Sequence, residues 1–173
     1  MSMGSTASGV PPAYQLVEAR TAAQFDAGRG LIEEYAAHIG TVMGVDLCFQ
    51  NLSAELRELP DMYGAPTGCL MLAGRDDEWV GCCALRPLDE GVCEMKRLYI
   101  RPSVRGANLG RRLAESVVHK ARVLGYRRMV LDTLQDMTAA RALYRSLGFR
   151  EIKPYYLNPM AGVSYLELIL AST

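Results

Sequence analysis

Between residues 14 and 18 apolar and polar side chains alternate, and from Leu31 onward apolar positions recur at helical spacing, so the chain opens as a short strand followed by a helix. Thr21 stands as the N-cap of that helix and Gly40 near its end. Leu31, Ile32, Tyr35, Ala36 and Ile39 make its apolar stripe, which leaves Glu33, Glu34 and His38 toward water. Residues 40–51 read as irregular. Ser53 then caps a short helix that stops at or before Leu59, because Pro60 disfavours helical geometry in the residue ahead of it.

Residues 69–73 and 79–85 are apolar runs separated by a charged turn, and residues 93–100 form a third run after Asp89, Glu90 and Gly91. Three such runs predict an antiparallel meander. After Pro102 the period lengthens: Leu109, Leu113, Val117, Ala121 and Leu124 mark a helix that Gly125 stops. Residues 129–133 read as a strand, 138–147 as a helix ended by Gly148, and 163–170 as a final strand. The predicted fold class is therefore α/β, in the α+β sense: a mixed sheet with helices packed on its faces.

With 173 residues the chain is expected to form one domain over residues 13–173, after a flexible, small-residue start at residues 1–12. Nineteen basic and nineteen acidic side chains cancel. No net field draws a nucleic acid or a membrane, so any anion binding has to come from a local site. The five cysteines are odd in number and lie in or beside apolar runs, and the two histidines, His38 and His119, are far apart. Neither a disulfide framework nor a metal site is expected from them. No run approaches the ~18 apolar residues of a membrane span, and a reduced, cytoplasmic setting is the expectation.

The stretch LYIRPSVRGANLGRRL, residues 98–113, joins a strand to an amphipathic helix through a glycine-bearing turn. A helix start leaves N–H groups unpaired and carries about half a positive charge, so it attracts phosphate. Gly106 and Gly110 let the backbone come close to such an anion, and Asn108 tolerates the left-handed angle that a glycine would otherwise supply. Arg105 and Arg111 add charge for a diphosphate, and Ala107 and Leu109 complete the turn. The Gly-Lys-Ser/Thr ending of a Walker loop is absent, and a dinucleotide fingerprint would follow a parallel first strand. Taken alone, the turn is also compatible with a plain strand-to-helix bend.

Downstream, AARALYRSLGF places Ala140, Leu143, Tyr144, Gly148 and Phe149 in one pattern. Together the two stretches resemble the GNAT superfamily of acetyltransferases. Arg105 and Gly110 match the ends of its pyrophosphate loop, with Asn108 where the middle glycine stands, and the second stretch matches its Ala-x-x-Leu-Tyr-x-x-x-Gly-Phe helix. The resemblance covers about residues 79–170. It implies the GNAT fold, a mixed and mostly antiparallel central sheet with helices on both faces, and acetyl-CoA (coenzyme A) as cosubstrate. It implies further that backbone groups of Leu98, Tyr99 and Ile100 hold the pantetheine arm where their strand splays from its neighbour. Met137 then stands where the family often has an asparagine, which leaves Thr138 or Asp136 to cap the helix.

Amide formation from a thioester needs a neutral amine, an oriented carbonyl and a proton for the departing thiolate. The resemblance points to Tyr144 as proton donor; the alternative is a tyrosine packed in the core. For the base the candidate is Glu94, which period-two alternation puts on the face of Leu98 and Ile100, and which resembles the glutamate base of some histone-acetylating relatives. An ion pair with Lys96 or with an arginine on a neighbouring strand is the alternative. Cys93 and Met95 then point the other way, so direct transfer is expected over a covalent cysteine route. Residues 45–51, the Tyr63 region, Tyr155, Tyr156 and Asn158 are candidates for the acceptor side, and Asp46, Glu58 or Asp61 for attracting an ammonium. His119 is expected to face solvent.

The expected function is N-acetyl transfer from acetyl-CoA to a primary amine of a small molecule. Protein lysine or N-terminal acetylation, and a non-catalytic acyl-CoA sensor, are the other readings. A homodimer is compatible with such a fold; nucleic acid, membrane and metal are not expected partners.

Overall fold

A computed structural model of the chain describes residues 13–44 and 51–170. β1 (Gln15–Glu18) leads into α1 (Ala22–Met43) through a capping box: Thr21 accepts from the Gln24 N–H while the Gln24 side chain accepts from the Thr21 N–H. α1 runs past Gly40 to Met43 and ends at Gly44, which takes the left-handed angle. One helical glycine costs about 1 kcal/mol, too little to stop a long helix packed on a sheet. The next helix, α2 (Leu52–Arg57), starts two residues earlier than Ser53 suggests, with Asn51 at its N-cap. Pro60 opens a further helix, α3 (Leu59–Tyr63), because a missing N–H costs nothing in a first turn.

The meander is β2 (Cys69–Arg75), β3 (Glu78–Asp89) and β4 (Val92–Ile100). Only Asp76 and Asp77 form the first turn, both at positive φ, the geometry that matches strand twist. A 3₁₀ turn (Pro102–Val104) precedes α4 (Leu109–Val123); β5 (Arg128–Leu134), α5 (Thr138–Ser146), β6 (Arg150–Ile152) and β7 (Val163–Ile169) follow. β6, three residues long, has no counterpart in the sequence reading. The sheet runs β1-β2-β3-β4-β5-β7-β6, antiparallel except where β4 meets β5. Leu113, Val117 and Ala121 of α4 pack on one face with Met71, Cys83 and Met95, while Leu31, Ile32, Leu59 and Tyr63 cover Leu70, Leu72 and Ala84 on the other.

Two irregularities shape the site. The parallel β4–β5 ladder spans only Val92–Arg128, Cys93–Met129 and Glu94–Val130, so beyond it the strands part and residues 95–100 present an unpaired edge toward β5. In addition, β4 carries a bulge. Cys82 pairs with Tyr99 and Ala84 with Lys96, so Cys83 faces two residues, of which Arg97 sits at φ 58°. The extra residue inverts the alternation. Cys93, Met95, Leu98 and Ile100 share the α4 face, while Glu94, Lys96 and Tyr99 share the α1–α3 face, so Glu94 is not on the face of Leu98 and Ile100 as strict alternation implies.

Candidate active site

The turn ahead of α4 is built by backbone conformation. Asn108 takes φ 57° immediately before the helix, the left-handed angle that asparagine tolerates, and Gly106 takes φ 94°. As a result none of the six N–H groups of residues 106–111 has a protein acceptor among the described residues, and all stand at the positive end of the α4 dipole. The turn borders a cleft of about 580 Å³ that also receives Leu98, Tyr99 and Ile100 from the open edge of β4, Met137 at the head of α5, and Ala140 and Leu143 from α5 itself.

Arg105, Gly106, Asn108, Leu109 and Gly110 line this cleft; Ala107 and Arg111 do not. The Arg111 guanidinium instead donates to Ser146 Oγ at 2.6 Å and pairs with Glu115 at 3.5 Å. The Tyr99 ring turns to the opposite face, 5.8 Å from that of Tyr35. His38, expected toward water, lines the cleft with its Nε2 3.4 Å from Arg105 Nη2, and Glu34 forks onto Arg101 at 2.6 and 2.9 Å. Glu34 and His38 come from α1, Arg101 and Arg105 from the segment that follows β4. Met137 occupies the N-cap position of α5 without a side-chain cap bond, and neither Thr138 nor Asp136 supplies one.

Where β4 and β5 part, a small chamber of about 60 Å³ is lined by Met95, Lys96, Leu98, Asp132, Thr133, Tyr144 and Asn158. Tyr144 packs its ring against Phe149 at 5.8 Å. Burial pushes its phenol well above the usual 10, so it holds its proton across the neutral range. Next to the chamber lies a larger cavity of about 730 Å³, bordered by Arg86, Leu88, Glu94, Tyr155, Tyr156 and Leu157. Lys96 lines both spaces.

Glu94 is buried in an ionic cluster: Oε2 accepts from Arg86 Nε at 2.7 Å, Oε1 from Tyr155 OH at 2.8 Å, and Lys96 Nζ stands 3.8 Å away. Behind it, Arg97 forks onto Glu55 at 2.7 and 2.8 Å, and Tyr63 OH donates to the same carboxylate at 2.7 Å. Burial acts to raise the Glu55 pKa, but Arg97 and Tyr63 together outweigh it and hold the carboxyl below its ordinary range.

Among residues named from sequence for the acceptor side, Tyr155, Tyr156 and Asn51 border the larger cavity and Asn158 the chamber. Tyr63 lies wholly in the core, and Glu58 and Asp61 are exposed away from these spaces. Asp46 and the rest of residues 45–50 fall outside the described residues. The Cys93 thiol points into the α4 core and burial pushes it up to about 12, which leaves no thiolate for a covalent route. Asp132 and His38 were missed, while Lys96 and a neighbouring-strand arginine, here Arg86, were named only as ion-pair partners of Glu94, and those pairs are present. Asp132 carried the signal used for Glu94, a lone acid within an apolar strand.

A mixed sheet opened between two parallel strands, with a helix start of unengaged N–H groups at its mouth, defines an acyltransferase-type fold. The model for the "Acetyltransferase (GNAT) family" matches residues 29–149. An uncharacterized N-acetyltransferase of Schizosaccharomyces pombe is 43% identical over 80% of this chain and 83% of its own. Among solved structures, an acetyltransferase from Streptococcus agalactiae superposes with a TM-score of 0.75 at 22% identity, covering 91% of this chain and 98% of that one. Salmonella typhimurium yncA, whose structure is with its cofactor acetyl-CoA, superposes with 0.65 at 19%, covering 94% and 96%; these two likenesses speak for the fold alone. The chain belongs to the GNAT acetyltransferase family and is an acyl-CoA-dependent N-acetyltransferase. Among the described residues, no helix is long and apolar enough to cross a membrane.

Proposed function

We propose that the protein transfers the acetyl group of acetyl-CoA to the amine of a small molecule by direct attack. The observation that carries this reading is the set of six unengaged N–H groups of residues 106–111 at the mouth of the same opening that Tyr144 lines at its inner end. The N–H groups and Arg105 hold the diphosphate. The unpaired edge of Leu98, Tyr99 and Ile100 pairs with the amides of the pantetheine arm, and Met137 borders it from α5. Acetyl-CoA supplies the thioester carbonyl, where the amine nitrogen forms the new C–N bond as the C–S bond breaks and coenzyme A leaves as the thiolate. Tyr144 gives its proton to the departing thiolate, a role suited to a phenol that burial keeps protonated.

For the proton leaving the amine, Glu94 is the first candidate, since its carboxylate borders the larger cavity. A specific observation favours a second reading. Both Glu94 oxygens already accept hydrogen bonds, whereas Asp132 accepts one, from Tyr156 OH at 2.8 Å, and lines the chamber with Tyr144. Rate–pH profiles separate the two. If Glu94 is the base, Glu94→Gln abolishes the acid limb of kcat/KM while Asp132→Asn keeps it; the reverse pattern assigns the proton to Asp132.

Tyr144→Phe is expected to lower kcat by roughly 10²-fold or more with KM and coenzyme A affinity near wild type. Because the phenol is raised rather than lowered, the wild-type rate shows no alkaline fall from this group up to about pH 10. An unchanged kcat in Tyr144→Phe removes the acid assignment.

A further inference from the structure

We infer that the acceptor is an amino-acid-type zwitterion, its carboxylate held by Lys96 and its ammonium by Asp132, an inference that rests on the acetyl-transfer reading above. Most charges around the opening are matched at close range. Glu55 pairs with Arg97 at 2.7 Å and Glu94 with Arg86 at 2.7 Å. Two charges have no hydrogen-bonded partner of opposite sign among the described residues. Lys96 Nζ makes no hydrogen bond among the described residues. Its nearest carboxylate oxygen, on Glu94, is 3.8 Å away and already accepts from Tyr155. Asp132 forms no ion pair among the described residues and accepts only from Tyr156 OH.

Both side chains line the chamber that Tyr144 closes. The Lys96 side chain is 7% exposed, so its ammonium has lost most of its water without gaining a bonded counter-anion, a costly state that a ligand carboxylate relieves. Burial accordingly acts to lower its pKa. A simple amine entering as a cation meets this ammonium with like charge. A zwitterion brings an anion to Lys96 and sets its ammonium beside Asp132, next to the proton donor. Lys96 also borders the larger cavity, where Leu88, Val92 and Leu157 stand beside Arg86, Asp89 and Arg128, so it has room for an acceptor body with an apolar or aromatic part.

The same carboxylate chemistry is available from a dicarboxylic acyl group on the donor, and the test separates the two sources. Steady-state rates are measured with acetyl-CoA and either phenylalanine or phenethylamine, which differ by the carboxylate alone, and again with succinyl-CoA and phenethylamine. Wild type is expected to favour phenylalanine in kcat/KM by about 10²-fold. Lys96→Met collapses that ratio, chiefly through the KM for phenylalanine, and Lys96→Arg retains much of it. Coenzyme A affinity serves as the control that the variants are folded. A preference for phenethylamine, a ratio that survives Lys96→Met, or a Lys96-dependent preference for succinyl-CoA without one for phenylalanine overturns the inference alone. Failure of the wild type to release thiol with any amine removes the acetyl-transfer reading and the inference with it.

Discussion

Gly110→Trp is expected to abolish measurable coenzyme A binding while Gly110→Ala leaves it nearly intact. A Cβ built at Gly110 lies 3.9 Å from both Ile100 and Leu143, ordinary contact distances, so the position accepts a methyl group. Those two residues are the walls of the cleft on the β4 and α5 sides, and an indole extended from the same Cβ occupies the space between them, directly over the free N–H groups. Calorimetric titration is expected to give micromolar binding for wild type and at least ~10²-fold weaker binding for the variant, about 2.7 kcal/mol. Equal affinity in both proteins places the cofactor elsewhere.

Glu55→Ala is expected to destabilise the fold by about 3–5 kcal/mol, because it leaves Arg97 buried and uncompensated and removes the acceptor of Tyr63 OH. For a chain of this size that corresponds to a loss of roughly 10 °C in Tm. Glu55→Leu combined with Arg97→Met is expected to recover most of the loss, since an apolar pair of similar volume has no charge to strand. The pH dependence follows from the lowered folded-state pKa of Glu55: its contribution is complete above the ordinary value of 4.5 and disappears as pH falls through the lower folded value. Denaturant titrations of the three proteins check this. A loss below about 1 kcal/mol in Glu55→Ala means that the pair is solvated.

The turn at residues 105–110 and the α5 pattern were legible because both are local: their conformations depend on glycine, asparagine and helical spacing within a dozen residues. The meander and the α4 stripe were legible for the same reason. The β4 bulge was not. Nothing in Glu94-Met95-Lys96-Arg97-Leu98 marks an inserted residue, and the partner that anchors the Arg97 side chain at its left-handed angle, Glu55, lies 42 positions earlier. That single insertion moved Glu94 to the face opposite Leu98 and Ile100. Glu55 carries no local mark of burial either, since its partners Arg97 and Tyr63 come from other elements. His38 was misplaced because the helical wheel of α1 shows which side is apolar but not that the polar rim of the helix overlies the end of β4.

Direct acetyl transfer to an amine passes through no acetylated enzyme, and a single-turnover experiment distinguishes it from a covalent route. Enzyme and one equivalent of acetyl-CoA are mixed with and without a pool of amines, with free thiol, small-molecule products and the intact protein mass followed together. The expected result is thiol release only when amines are present, an N-acetylated small molecule in equal amount, and an unchanged protein mass. Thiol release without amines accompanied by an acetylated protein, or no release with any amine, contradicts the account.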